Sequence, residues 1–571
     1  MRTALQGRER GLLAGLGLAA AMVCAGSAFS APPDPEAGCP IQFQDVTAQT
    51  GIAFVHTDGS SGKRWMFEPM ASGVAVFDYN GDGREDIYFL TGTPLRGAKA
   101  DVLPTNRLYR NDGAFRFTDV TDQAGVGKGG YGLGVAVGDY NSDGHLDIYL
   151  NNFGTNVLFR ANGDGTFTDV TKEAGVAGPE KVGAGTCFLD MDGDGWLDLF
   201  VSRYIQWSYE TNVSRSQMGC PIYSGPRDYP RSTNALYLNN RDGTFKDVSV
   251  ASGIAAHQGA GMGCACADYD NDGRTDILLA NDQWPAFAFH NEGAGRFTEV
   301  GMEIALAFDE HAAPLSGMGV ACADIDNDGW LDVLITAYNK QFPGLYRNLG
   351  RGLFEYATRP IGVGQGTFPQ VKWGDGFADL DNDGHKDIVI VCGHLDTNVD
   401  QFDKTTAYLL PPIVLRNTGK GQFVNVSDPC GVGGMRLCGR GMALADLDGD
   451  GRVDVVILNS RRPPTILRNV SQNSHHWTQI DLRGTKTNRF GVGARVRVVA
   501  GDLVQIEEVH SGQGYQSHFG MRVHFGLAAH DRIDRVEVRW IGGGTEVFHD
   551  VPVDRIVTLT EGTGTPLAPA P

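Results

Sequence analysis

The hydrophobic positions of this chain fall in short runs broken by clusters of Asp, Asn and Gly, as in GVAVFD up to residue 78 and DIYFL from residue 86. Runs of that length, rich in Val, Ile and aromatic residues and bounded by turn formers, predict β-strands. The interruptions are themselves a repeat. The pattern D-x-(D/N)-x-D-G-x-x-D occurs seven times: DYNGDGRED at Asp78, DYNSDGHLD at Asp139, DMDGDGWLD at Asp190, DYDNDGRTD at Asp268, DIDNDGWLD at Asp324, DLDNDGHKD at Asp379 and DLDGDGRVD at Asp446. Two strand patterns recur beside it. One is aromatic: FQDVT at Phe43, FTDVT at Phe117 and Phe167, FKDVS at Phe245, FTEVG at Phe297, FEYAT at Phe354 and FVNVS at Phe423. The other reads LYRND at Leu108, LFRAN at Leu158, LYLNN at Leu236, LYRNL at Leu345, VLRNT at Val414 and ILRNV at Ile466, with FAFHN at Phe287 a degenerate copy.

Within one repeat the order is first strand, acidic loop, second strand, LYRN strand, Gly turn and F-x-D-V-T strand, with successive loops 51 to 78 residues apart. Four short strands per repeat suit the blade of a β-propeller. The last repeat ends at Val470 without an F-x-D-V-T strand, and one such strand stands alone at Phe43. The N-terminal strand is therefore expected to complete the seventh blade and close the ring. The predicted fold is all-β: a seven-bladed β-propeller over 41–470, followed by a small, separate β-rich domain over 471–562, where GARVRVV, RVHFGL and DRVEVRW read as strands between Gly turns. Residues 31–40 read as a linker and 563–571 as a disordered tail.

The loops carry the chemistry. Oxygen side chains at positions 1, 3 and 5 converge on one point, Gly at 6 allows the sharp turn, the carbonyl at 7 adds a neutral oxygen, and the carboxylate at 9 closes the shell. The start resembles the calcium loop of an EF-hand, but the last carboxylate comes at 9 rather than 12, and strands flank it. The predicted metal ligands are Asp78, Asn80, Asp82 and Asp86; Asp139, Asn141, Asp143 and Asp147; Asp190, Asp192, Asp194 and Asp198; Asp268, Asp270, Asp272 and Asp276; Asp324, Asp326, Asp328 and Asp332; Asp379, Asp381, Asp383 and Asp387; and Asp446, Asp448, Asp450 and Asp454. The backbone ligands would be Arg84, His145, Trp196, Arg274, Trp330, His385 and Arg452. Calcium takes six to eight oxygens in flexible geometry, whereas magnesium demands near-ideal octahedra, so the expected cofactor is Ca²⁺, up to seven ions in a structural role. One isolated D-x-D-G would be an ordinary Asx-type turn; seven complete copies point to a metal.

Turns between antiparallel strands alternate rims, which places all acidic loops and Gly turns on one rim. The long insertions, at 203–233, 301–317, 358–373 and 393–412, then share the other, where loops on a rigid scaffold are placed to bind.

Composition narrows the partners. With 68 acidic against 48 basic residues the chain carries a net charge of -20, which argues against nucleic acid and anionic membrane surfaces. Residues 1–30 read as an export signal, with Arg2, Arg8 and Arg10 ahead of the apolar run 11–25 and a small-residue exit at Ala28-Phe29-Ser30. That run is shorter than a bilayer span, and no later stretch is long enough. The expected localisation is thus exported: periplasmic, cell-surface or secreted, with no membrane span after cleavage. Nine cysteines follow the signal, and Cys430 and Cys438, flanking a Gly-rich loop, are the expected disulfide; Cys264, Cys266 and Cys322, inside apolar strands, read as buried thiols.

These loops resemble the FG-GAP (VCBS) repeats of integrin α-subunit propellers and, more closely, the cartilage acidic protein-like secreted propellers. The tail, with TNRFGVGARVRV, SGQGYQSHFG, HFGL and VEVRW, resembles the ASPIC/UnbV domain that follows such repeats, although Ile541-Gly542-Gly543-Gly544 replaces the Pro-Ser-Gly turn of that pattern. The resemblance implies seven blades with calcium loops on one rim and ligand binding on the other.

The leading expectation is an exported calcium-binding propeller acting as a binding or adhesion scaffold for an extracellular protein or glycan. A second is a secreted propeller enzyme acting on extracellular glycans, with His394 and Asp396 as an acid–base pair. Against it, the chain has no G-x-S-x-G elbow, P-loop or H-E-x-x-H. A third is an architectural subunit of a cell-surface assembly. His510, His518 and His524 have spacings that match no usual metal-ligand pattern.

Overall fold

A computed structural model of the chain describes residues 39–128 and 130–567; the export signal expected over residues 1–30 lies outside the described residues. Seven antiparallel units of four strands surround an axis, the second and third joined edge to edge where Lys181 and Val182 pair with Gly154 and Phe153; six are built from one repeat and the seventh borrows its outer strand from the N-terminus. Their innermost strands are Val74–Phe77, Tyr131–Gly138, Lys181–Leu189, Gly261–Ala267, Gly317–Ala323, Lys372–Ala378 and Gly439–Ala445, and they are almost wholly buried. We number the blades 1 to 7 in that order.

Glycines on the inner strands set how tightly the blades close around the axis. A Cβ on Gly185 would stand 2.7 Å from Met262 O of blade 4, and one on Gly263 2.6 Å from Met318 O of blade 5. Any side chain there would push neighbouring blades apart. The ring closes through its first strand: Phe43–Asp45 pairs antiparallel with Thr465–Asn469, Phe43 opposite Asn469, and Ile466 N–H donates to Thr47 Oγ1 at 2.9 Å. The F-x-D-V-T strands are pinned in the same way, as where Leu108 N–H donates to Thr121 Oγ1 at 2.9 Å and that hydroxyl donates to Asp119 Oδ1 at 2.6 Å.

The tail forms two sheets. One orders Val523–Ala528, His476–Arg483 and Ile556–Thr560; the other has five strands, ending on Thr565–Leu567. That last strand pairs with Thr545–Val547 by backbone hydrogen bonds, so residues 565–567 are ordered where composition suggested a disordered tail. The tail is packed tightly against the ring. The described residues cluster as one compact unit, and a single apolar core joins Ile480, Val496 and Phe525 of the tail to Phe77, Tyr149 and Leu199 of blades 1 to 3.

A segment of the tail fills the propeller axis. Phe188 N–H of blade 3 donates to Ser511 O at 3.2 Å, Val135 N–H of blade 2 donates to Gln516 O at 3.1 Å, and Gly514 N–H donates to Val320 O of blade 5 at 2.7 Å. His518 N–H donates to Val74 O and its carbonyl accepts from Val76 N–H of blade 1, both at 3.0 Å. His510 Nδ1 lies 3.0 Å from Cys266 O of blade 4. Gly514 abuts Asp375 of blade 6 and Ser517 abuts Gly441 of blade 7, so this plug touches every blade.

The expected Cys430–Cys438 disulfide is absent; both are free, buried thiols, as are Cys264, Cys266 and Cys322. The intervening loop spans the blade instead of folding back. Cys430 is held at the outer edge, its carbonyl accepting from Phe43 N–H, while Cys438 lies beside Arg440 at the start of the inner strand.

Candidate metal loops and the opposite rim

Each acidic loop is shaped by two residues in the left-handed region. Position 4 is Gly81, Ser142, Gly193, Asn271, Asn327, Asn382 or Gly449, with φ from 55° to 75°, and position 6 is always Gly, with φ from 81° to 90°. The turn aims backbone N–H groups at carboxylates. In all seven loops the position 6 N–H donates to the position 1 Asp, at 2.7 to 2.9 Å. The position 7 N–H donates to the position 5 Asp, at 2.8 to 3.1 Å.

The position 9 Asp ties the blade together. Its Oδ1 accepts the N–H of the residue ending the LYRN motif in every blade, from Asn111 in blade 1 to Asn469 in blade 7. In six blades its Oδ2 also accepts the position 2 N–H.

Three to four carboxylates per loop leave more negative charge than this network absorbs. Donor oxygens of Asp190, Asp192 and Asp194, of Asp324, Asp326 and Asp332, and of Asp379, Asp381 and Asp387 lie within 4.8 Å of one another. Burial, reinforced by neighbouring carboxylates, pushes Asp190 and Asp324 up to about 7 and Asp139 to about 6; Asp332, Asp379, Asp387 and Asp454 are driven well above the usual range. Buried oxygens Asp381 Oδ1 and Asp448 Oδ1 have no hydrogen-bond partner. Arginines answer part of the charge: Arg416 reaches Asp381 and Asp383, each at 2.7 Å, and Arg468 reaches Asp448 at 2.8 Å. The donor set fits a hard divalent cation, which would hold these carboxylates ionised.

The tail sits on this acidic rim. Arg539 pairs with Asp268, Arg495 donates to Asp268 O at 2.6 Å, Arg522 lies 3.8 Å from Glu85, and His524 Nε2 is 3.1 Å from Gly451 O. His518 Nδ1 accepts from Gly512 N–H, so the three tail histidines serve separate backbone contacts and do not form a metal site.

Beneath the insertions on the opposite rim lies a cavity of about 180 Å³, lined by Met66, Met70, Met262, Met318, Tyr204 and Trp373 among others. Tyr204 Oη donates to Asp282 Oδ2 at 2.7 Å, and Asp282 Oδ1 is buried and unpartnered. Beside the cavity, Arg227 and Arg231 stand over the Trp284 ring, 5.5 and 4.6 Å from its centroid. His394 and Asp396 do not pair through their side chains. Asp396 N–H donates to His394 Nδ1 at 3.0 Å, the Asp396 carboxylate turns to Arg64 at 2.7 Å, and burial with the nearby Arg440 charge lowers His394 to about 4.

A family model of the FG-GAP-like repeat matches residues 78–150, 139–201, 222–279, 268–335, 324–390 and 379–457. The chain belongs to the FG-GAP-like repeat family. A second model, ASPIC and UnbV, matches residues 484–566. Cartilage acidic protein 1 of Xenopus tropicalis is 25% identical over 485 residues, covering 83% of this chain and 61% of that protein. The Homo sapiens protein is 25% identical over 484 residues, with 83% and 60% covered. The chain thus spans about three fifths of the length of these curated relatives. Among solved structures, the Bacillus licheniformis rhamnogalacturonan lyase PL11 matches 74% of this chain and 73% of its own, at 14% identity and a TM-score of 0.34.

Within the FG-GAP repeats, one role escaped the sequence reading: the Asn of the LYRN motif latches blades. Asn111, Asn239, Asn291, Asn348, Asn417 and Asn469 each donate Nδ2 to the position 2 carbonyl of the preceding blade's loop, at 2.7 to 2.9 Å. Blade 2 has Ala161 at that place. The recurrence of Asn was the available signal, but its partner lies one blade away and is invisible in the chain order.

Proposed function

We propose that this chain is an exported calcium-binding propeller that acts as a binding or adhesion scaffold for an extracellular protein or glycan, with its ligand rim opposite the calcium loops. The observation that carries the reading is the asymmetry of the two rims. The acidic rim and the axis are taken up by the tail, whereas the insertion rim offers the cavity and the Trp284 ledge with its two arginines. Aromatic and arginine side chains around a partly desolvated pocket are the groups that dominate recognition energetics. Calcium has a structural part in this reading, because each loop joins the first two strands of a blade, and an ion bound only by the folded state stabilises it by mass action.

The test has two arms. Thermal unfolding is followed in excess EDTA and then in millimolar calcium or magnesium, with bound metal counted; a calcium-selective rise in Tm with several ions bound is expected. No shift and no bound calcium would overturn the metal assignment. The exported protein is also screened against immobilised extracellular proteins and glycans with Trp284→Ala alongside; calcium-dependent capture, weakened at least tenfold by the substitution, is expected. Capture unaffected by Trp284→Ala would move the ligand off this rim, and turnover of a glycan would replace the scaffold by an enzyme.

A further inference from the structure

Blade 4 departs from the other six in three ways, and the departures meet at one point. The LYRN arginine, present as Arg110, Arg160, Arg347, Arg416 and Arg468 and replaced by Leu238 in blade 3, is here His290. Its Nδ1 is shielded from solvent without an aligned hydrogen bond, 3.2 Å from Asp276 Oδ1 and 3.5 Å from Asp270 Oδ2. The second departure is at Asp276. Its side chain is fully buried, and its Oδ2, the atom that elsewhere accepts the position 2 N–H, has no partner. The third is the position 1 carboxylate: Asp268 is paired with Arg539 of the tail, while Arg495 holds its carbonyl and Asn271. An anion that supplies one edge of the shell in the other loops is here already compensated by an arginine.

What remains is a mixed set. Donor atoms of Asp270, Asp272 and His290 lie within 4.8 Å of one another, as do those of Asp268, Asp270 and Asp276, and Asp272 is shared with Arg274. Calcium selects oxygen and gains nothing from an imidazole, whereas first-row transition dications prefer nitrogen with a few carboxylates and accept four ligands. We propose that the blade 4 loop holds a transition-metal dication of the Zn²⁺ or Co²⁺ class through His290 Nδ1 and the carboxylates of Asp270, Asp276 and Asp272, unlike the six all-oxygen loops. The site lies beneath the tail's Arg495 and Arg539, so the ion would be slow to exchange and would fix the tail against blade 4. This inference rests on the reading of the loops as metal sites, replaces calcium at one of them, and does not require the other six to be filled.

The full exported chain is stripped with EDTA, dialysed, and titrated with Co²⁺ in millimolar calcium, reading the visible d–d bands and the bound cobalt and calcium. One equivalent of Co²⁺ is expected to stay bound against excess calcium. His290→Asn should weaken it at least tenfold and abolish the nitrogen-ligand bands while the calcium of the other six loops stays bound. His290→Arg, which installs the residue found in five other blades, should do the same and guards against a folding defect, since both variants must melt as cooperatively as the parent. Complete displacement of Co²⁺ by calcium, or equal retention in both variants, would overturn the proposal and leave His290 as a protonated counter-ion of Asp276. Cobalt bound without any calcium would sink the calcium reading and leave this one standing; calcium without cobalt would do the reverse.

Discussion

Replacing Tyr515 at the tip of the plug tests whether tail and propeller are one cooperative structure. Its ring is wholly buried, edge-on to Trp373 of blade 6 with centroids 5.1 Å apart at 70°, and its hydroxyl donates to Met70 O at 3.2 Å. Truncating a buried aromatic residue to Ala costs about 3–5 kcal/mol, and the lost hydrogen bond adds about 1 kcal/mol. If residues 39–571 unfold as one unit, the unfolding entropy of about 530 residues is roughly 1.1 kcal/mol/K, so Tyr515→Ala should lower the Tm of the whole molecule by about 4–5 °C. Tyr515→Phe should lower it by about 1 °C, because only the hydrogen bond is lost. A separate tail of about 95 residues would instead melt alone, with the same loss concentrated into a shift of roughly 20–30 °C. Scanning calorimetry at saturating calcium, which holds metal linkage constant, separates the two. A main transition that does not move, with a small early transition appearing beneath it, would refute the plug as the element joining tail to ring.

Further outcomes follow from the same contacts. Asn348→Ala should destabilise the protein by about 3 kcal/mol, because the carbonyls of Tyr269 and Leu331, now receiving its Nδ2 at 2.8 and 3.0 Å, are left buried and unpaired; chemical denaturation measures it, and a loss under 0.5 kcal/mol would remove the latch. Burial lowers His518 to about 3, so the folded state binds fewer protons than the unfolded state between about pH 6.5 and 3, and stability is lost as pH falls through that window. His518→Asn keeps an acceptor for Gly512 N–H but does not titrate, so the stability advantage of the parent should shrink as pH drops below 6.5; a constant gap in urea midpoints would contradict the assignment. Cys430 and Cys438 should both be alkylated after denaturation without reductant and spared in the native state, and peptide mass spectrometry showing them joined would restore the disulfide.

Much of the architecture was legible because it is local and repeated. An acidic loop between two apolar runs is a strand–turn–strand whatever surrounds it, since Gly at position 6 and Asp at position 1 make their hydrogen bonds within six residues. Seven copies fix the number of blades, and the orphan F-x-D-V-T strand at Phe43 announces ring closure because the seventh repeat lacks one. Antiparallel parity then separates the rims. The loop carboxylates, as a cluster of oxygens, were equally readable.

Contacts between residues hundreds of positions apart were not. The stretch 510–518 gives no local sign of its place, and only the ring of inner strands, closed tightly by their glycines, creates an axis in which its backbone bonds to blades 1, 2, 3 and 5 while it packs against the rest. The same holds for Cys430 and Cys438, close in sequence but drawn to opposite edges of a blade, and for His394 and Asp396, whose chain proximity serves a backbone contact. His290 read as a lapse in a motif until the fold set it against Asp270 and Asp276. The sequence determined the repeat, the strands and the chemistry each loop carries, because those depend on backbone preference and neighbours a few residues away. The tertiary structure decided which rim the tail covers, what fills the axis and which charges remain unanswered, because these depend on burial and on distances that exist only once the ring has closed.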